Sequence, residues 1–195
     1  MIDTTQYPPV VTEYTPSHRD PVRQLWVRRF GRQPHIDDWL TSAADPNRRV
    51  VCFVALQEAE VIGFGIARHV SVEEATTTWP ADATLPASWD TVCELYLGVV
   101  DAAHEKNGIG RRLLERRLAW GWGWHADGAT ATAWHNPESR DARGLLAAAG
   151  FKTLATADEF YSDDRECPVC DNVCRCAASF VCRQYRRDGD RGGPQ

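Results

Sequence analysis

No apolar run in this 195-residue chain approaches the ~20 residues that a membrane-spanning helix requires. The opening "MIDTTQYPPVVTEY" has neither a basic start nor the apolar stretch of a secretory leader. Both absences point to a cytoplasmic protein. An excess of basic charge is missing too. Lys and Arg number 22 against 27 Asp and Glu, for a net charge of -5, and the two signs are interspersed, so no electrostatic footprint for nucleic acid or an anionic membrane is present. A cationic or neutral partner remains. There is no internal repeat. The seven cysteines are an odd number, and Cys52 and Cys93 stand alone in apolar runs where a reduced thiol packs as a small hydrophobe, which argues against a secreted disulfide framework.

What is present has the makeup of one domain: 43% hydrophobic and 25% charged residues, enough to bury a core. We expect it to span 1-186, with a disordered tail over 187-195. "VVTEY" alternates as a first strand. Ser17, Asp20 and Pro21 read as a helix start leading into "VRQLWVRRF", and "IDDWLTSA" reads as a second, short helix. "RRVVCFVALQ" and "VIGFGIARHV" are apolar strands joined by a tight "EAE" hairpin. Residues 73-90 carry two prolines and no periodicity, the mark of a surface insertion loop. "TVCELYLGVV" is a fourth strand. Beyond it a helix places Ile109, Leu113, Leu114, Leu118 and Trp122 on one stripe. "GATATAWH" is a strand, "PESRDARGLLAAAGF" a helix ended by Gly150, and "KTLATADEFYS" and "AASFVCRQYRR" are two last extended runs. This order predicts an α/β fold with a mixed sheet.

Between the fourth strand and the long helix lies "VVDAAHEKNGIGRRLL". Gly108 and Gly110 fall where unpaired backbone N–H groups and the positive helix end converge, which suits a phosphate. Lys106, Arg111 and Arg112 add positive charge. Taken alone, two glycines equally serve to turn the chain. In context the loop resembles that of the GNAT superfamily of N-acetyltransferases, R/Q-x-x-G-x-G/A, which holds acetyl-CoA. Here it reads "EKNGIG", with Glu105 in the Arg/Gln position. "SRDARGLLAAAGF" is similar to the family's N-x-x-A-x-x-x-Y-x-x-x-G-F. Ala142, Gly150 and Phe151 match, Ser139 stands for Asn, and Leu146 stands for the tyrosine that in many members protonates the departing thiolate. The order of elements also matches from residue 10 to 186.

The resemblance implies a GNAT-like, mostly antiparallel mixed sheet flanked by helices, and acetyl-CoA as co-substrate. It places the donor on Glu105, Lys106, Asn107, Gly108, Ile109, Gly110, Arg111 and Ser139, with a backbone amide from Gly98, Val99 or Val100 polarising the thioester carbonyl. It also allows a homodimer. From the residues themselves, Glu94 is the candidate base, because a carboxylate inside "VCELYLGVV" is costly unless it faces a wet cleft or a partner such as an arginine. Its period-two neighbours are Tyr96 and Gly98. Tyr96 and Tyr161 are candidate proton donors, and His135 a candidate relay; for each, a packing role is the alternative. In "WGWGW", Trp120 and Trp124 share a helical face, with core packing as the default.

"CPVCDNVCRC" supplies four thiolates, Cys167, Cys170, Cys174 and Cys176, in one hairpin loop over 167-176. Four-thiolate zinc fits that set, and an iron–sulfur cluster, a redox pair and unligated thiols are alternatives. Four thiolates leave no open coordination position, so a zinc here is structural. Cys182 reads as packing. With only Arg175 between the ligands, the loop does not suit nucleic acid. The expected function is acetyl transfer from acetyl-CoA to an amine acceptor. The alternative, supported by Glu105, Ser139 and Leu146, is a catalytically weak, zinc-stabilised acetyl-CoA-binding or regulatory module.

Overall fold

A computed structural model describes residues 8–31, 35–45, 49–135, 142–161, 170 and 174–185. Seven strands form one sheet: β1 (Val10–Glu13), β2 (Val50–Gln57), β3 (Glu60–Ser71), β4 (Thr91–Val100), β5 (Gly128–Trp134), β6 (Lys152–Ala157) and β7 (Ala178–Gln184). Their order is β1-β2-β3-β4-β5-β7-β6. Among the described residues only β4 and β5 run parallel. The β-branched and aromatic runs pair as antiparallel neighbours, β2 and β3 through a tight turn, and the parallel pair β4–β5 is joined, as parallel strands require, by a crossover that contains the helix Ile109–Gly123. A mixed, mostly antiparallel α/β sheet is thus what the chain forms.

The helices cover both faces. α1 (Arg19–Phe30) and α2 (Ile36–Ala43) lie on one, where Val22, Leu25, Trp26, Ile36 and Leu40 pack on Cys52, Val54, Phe64 and Ile66. On the other face lie α4 (Ile109–Gly123) and Leu146 of the short α5 (Arg143–Ala148), against Phe53, Ile62, Cys93 and Leu95. Each such buried side chain is worth about 1.5–3 kcal/mol in water exclusion.

Several sequence expectations change. Residues 73–90 are more than a surface loop: they begin in a helical turn, α3 (Val72–Thr76), and they bury Ala75, Ala83 and Trp89. The prolines hide this because they remove periodicity without removing apolar anchors. The turn before α1 is closed by Thr15, whose N–H donates to His18 Nδ1 at 3.0 Å, and not by Ser17 with Asp20. In α4 the inward stripe is Ile109, Leu113, Leu114, Arg117, Leu118 and Gly121, and Trp122 is 46% exposed. Gly121 is required there, since a Cβ would sit 2.3 Å from Cys93 Cβ; that close approach of helix to strand rotates Trp122 outward. Trp124 is also exposed, and the rings of Trp120 and Trp124 meet at 5.8 Å on the shared face.

Candidate active site

The parallel pairing of β4 with β5 lasts only from Val92 to Glu94. Beyond Glu94 the two strands part, so the outer edge of β4 carries backbone groups with no strand beside them. Into this split opens a cleft of about 1130 Å³, bordered by Glu94 to Val100 on one lip and Ala131 to Trp134 on the other.

A bulge accompanies the split. Ile66 is paired with Leu97 and Arg68 with Glu94, so three steps along β4 oppose two along β3. One extra residue reverses the facing of everything after it. Glu94 and Tyr96 therefore face the side of α2 and Arg68, whereas Gly98 faces α4, where an added Cβ would meet the Arg117 guanidinium at 3.2 Å. The simple alternation that grouped Glu94, Tyr96 and Gly98 on one face does not hold across the bulge.

At the far end of β4 the chain turns into α4 through the glycine loop. Lys106 and Gly108 adopt left-handed backbone, with φ of 67° and 74°. A side chain at 108 would be strained there although nothing crowds the position. Gly110 lies against Leu145 and Val100. Glu105, Lys106, Gly108, Ile109, Gly110 and Arg111 all border the cleft, beneath the start of a 15-residue helix whose first N–H groups are without helical acceptors. Arg112 is not part of this end, since its guanidinium donates to the Pro9 carbonyl. Arg111 pairs with Glu115 at 2.8 Å on the surface. Asn107 is exposed in the loop outside the cleft lining. Ser139 lies outside the described residues.

Glu94 is largely enclosed, with 16% of its side chain exposed, and its Oε2 accepts from Arg68 Nε. Arg68 also bonds Glu74 Oε1 at 2.6 Å, and its guanidinium lies 5.7 Å from the Trp39 ring centre and 5.8 Å from that of Tyr96. Trp39 and Tyr96 stack at 4.1 Å. Burial pushes the Glu94 carboxyl above its ordinary value of 4.5, and Arg68 only partly offsets this. The partner arginine and the cleft are therefore both present. Arg68 went unnoticed in the sequence, although it carries the same signal as Glu94, a charge inside an apolar strand.

Leu146 lines the cleft in the slot where the resemblance places a tyrosine. Tyr96 and Tyr161 line it as well. His135 does not: it lies just past the end of β5, where its Nε2 pairs with Ser179 Oγ of β7 at 2.8 Å. His104, unremarked in the sequence, borders the cleft next to the glycine loop, with Nδ1 3.7 Å from Asp101 Oδ1.

Cys170, Cys174 and Cys176 come together, their Sγ atoms all within 4.8 Å of one another and the pair Cys170–Cys176 at 3.6 Å. A tetrahedral ion with Zn–S bonds of about 2.3 Å separates its sulfurs by roughly 3.8 Å, so the donor set and spacing fit zinc. Cys167 lies outside the described residues. Cys174 and Cys176 pack on Trp134 and Tyr161, and Cys174 borders the cleft. Cys182, in β7, is buried as a packing residue. Among the described residues no helix is long and apolar enough to cross a membrane.

The model of the acetyltransferase (GNAT) family matches residues 10–151. No curated protein matches the sequence. Among solved structures, NAA60 of Arabidopsis thaliana in complex with a bisubstrate analogue superposes with a TM-score of 0.71 at 14% identity, covering 91% of this chain and 99% of that one. The ribosomal-protein-S18-alanine N-acetyltransferase of Escherichia coli gives 0.65 at 14% identity, over 95% and 99%. Naa20 of Chaetomium thermophilum, also with a bisubstrate analogue, gives 0.66 at 17%, over 93% and 90%. The split sheet, the glycine loop beneath α4 and a family match spanning well over half the sequence together place this chain in the GNAT family, as an acetyltransferase that uses acetyl-CoA.

Proposed function

We propose that this chain moves an acetyl group directly from acetyl-CoA to an amine, with Glu94 as base. The observation that carries the reading is a largely enclosed, arginine-paired carboxylate on the same strand whose far end meets the glycine loop, with one cleft bordering both. The loop residues 105 to 111, with Ser139 as the expected addition, would hold the pyrophosphate through backbone amides. An amide among Gly98, Val99 and Val100 would polarise the carbonyl.

In the reaction the amine nitrogen attacks the thioester carbon. The N–C bond forms, the C–S bond breaks with its electron pair leaving on sulfur, the ammonium proton passes to Glu94, and the thiolate takes a proton from a donor in the cleft. Tyr96 is our assignment for that donor, as the hydroxyl on the same side of β4 as Glu94. The acceptor is an amine of a small molecule or a protein. The Escherichia coli neighbour, described as acting on an alanine of ribosomal protein S18, makes peptide N-termini part of any trial set.

Zinc held by Cys167, Cys170, Cys174 and Cys176 completes the proposal. Zinc would supply a fixed tetrahedral node within the chain before β7, where Cys174 and Cys176 pack on Trp134 at the end of β5, and no chemistry, because four thiolates leave no open position. Free, buried Cys52 and Cys93 suit the reducing interior of a cell, where we place the protein. Native mass spectrometry of protein prepared without chelator should show one zinc. A cobalt-loaded sample should show a thiolate charge-transfer band that weakens in Cys174→Ser.

The second reading, an acetyl-CoA-binding module without turnover, is favoured by one observation, Leu146 in the tyrosine slot of the cleft. Release of CoA thiol, followed over a panel of small amines and peptides, separates the two. Amine-dependent release lost in Glu94→Gln supports the enzyme. Bound acetyl-CoA with no release above buffer supports the module.

A further inference from the structure

Arg117 is the least expected side chain in the molecule. It lies on the inward stripe of α4, is 7% exposed, and no carboxylate among the described residues pairs with it. Its partners are backbone carbonyls. Nε donates to Leu113 O at 3.2 Å, and Nη1 to Leu97 O at 2.9 Å and Ile66 O at 3.5 Å. The last two are the residues paired across β3 and β4 at the edge of the bulge. Two glycines admit the guanidinium. A Cβ at Gly65 would lie 2.7 Å from Nε, and one at Gly98 3.2 Å from Nη2. Arg117 also borders the cleft.

Burying an unpaired cation costs several kcal/mol, and an apolar residue of similar volume is often neutral or stabilising in its place. Burial does pull the guanidinium down to about 10, yet at neutral pH it keeps its charge. The nearby Cys52 and Cys93 thiols, pushed by burial up to about 12, stay neutral there and do not compensate it. A stability role alone is therefore a poor account of this residue.

We infer that Arg117 is a positioning residue for acyl transfer, which braces the β4 bulge and strengthens the amides that polarise the thioester carbonyl. The Leu97 carbonyl and the Gly98 N–H belong to one planar trans peptide, so fixing the first fixes the direction of the second. A charged donor on the carbonyl side also makes the N–H on the other side a better donor. The uncompensated charge adds a fixed positive potential beside the strand where the oxyanion develops. This inference rests on the assignment of Gly98 to Val100 as the polarising amides, and not on any particular acceptor.

The test is infrared difference spectroscopy of acetyl-CoA labelled with carbon-13 at the acetyl carbonyl. The probe is bound to the full chain and to Arg117→Met and Arg117→Lys, beside acetyl-CoA affinity and melting temperature. The wild-type protein should lower the carbonyl stretch relative to free acetyl-CoA. Arg117→Met should lose most of that shift, with affinity unchanged and a melting temperature equal to or above wild type, and Arg117→Lys should restore part of it. Turnover with any active amine should fall by about 10²-fold in Arg117→Met, the scale of losing one oxyanion donor.

A folded Arg117→Met with a wild-type carbonyl shift overturns the inference. So does loss of shift and affinity together, which would mark a structural role. Should Arg117→Met fail to fold, Gly65→Ala, whose Cβ would lie 2.7 Å from Nε and 2.9 Å from the guanidinium carbon and so forces the guanidinium to shift, must reduce the carbonyl shift, and an unchanged shift there overturns it equally. Wild-type protein that lowers the stretch but acetylates no amine would keep the inference and sink the proposed acceptor chemistry.

Discussion

The two ends of the cleft are built from different materials. At the loop end, the groups we propose for the ligand are backbone amides of Lys106 to Arg111, set by left-handed residues and a helix start. At the Glu94 end they are the side chains of Glu94 and Tyr96 from β4, which border the cleft and are held by three further elements: Arg68 from β3, Trp39 from α2 and, through Arg68, Glu74 from α3. From Val100 back to Glu94 the strand spans roughly 20 Å. A backbone site tolerates side-chain drift, which is how Glu105 can stand in the position where the loop it resembles has Arg or Gln. A side-chain site tolerates little, because each group there is held by another.

The comparison breaks most easily at Glu94. Glu94→Gln should cut kcat/KM by about 10²–10⁴-fold, the range for losing a general base, while acetyl-CoA affinity stays at its wild-type value. The pH profile sharpens the point. Because the folded carboxyl titrates above 4.5, ionised base accumulates only as pH rises through that raised value, so the acid limb of kcat/KM should lie above 4.5 and vanish in Glu94→Gln.

At the other end Gly108→Ala forces a Cβ into left-handed backbone at about 1–2 kcal/mol. Acetyl-CoA affinity, measured by calorimetry, should weaken by about 5–30-fold, with the acid limb unmoved. Cys174→Ser tests the wall between the ends. Loss of a metal clip contributing about 2 kcal/mol lowers Tm by roughly 4–8 °C, and the Michaelis constant for the acceptor should rise more than that for acetyl-CoA. Unchanged stability and acceptor kinetics would count against the metal. Tyr96→Phe, which keeps the stack on Trp39, is the mildest, with about a 2–12-fold loss of kcat for one hydrogen bond to the departing sulfur, because a thiolate leaves readily and can take its proton from water when the tyrosine is removed.

The same division decides what the sequence could convey. The glycine loop was legible because its geometry is local: two glycines between a strand and a helix carry the whole device. The order of strands and helices was legible for the same reason, since each element announces its own period. Glu94 could be singled out by its charge in an apolar strand, but Arg68, Glu74 and Trp39 are joined to it only by sheet register. The bulge that turns Gly98 to the opposite face has no signature in "ELYLG", because both registers leave apolar residues on both faces. Arg117 was hidden among four arginines of one helix, where only packing distinguishes the inward one. The apolar anchors in 73–90 were masked by the prolines that surround them.

Calorimetric titration of acetyl-CoA into three proteins, wild type, Glu94→Gln and Gly108→Ala, each assayed in parallel for amine-dependent CoA release, tests the division between the ends most directly. The account predicts that wild type and Glu94→Gln bind alike while only wild type and Gly108→Ala retain turnover at saturating acetyl-CoA. Weakened binding in Glu94→Gln, or undiminished affinity in Gly108→Ala, would contradict it.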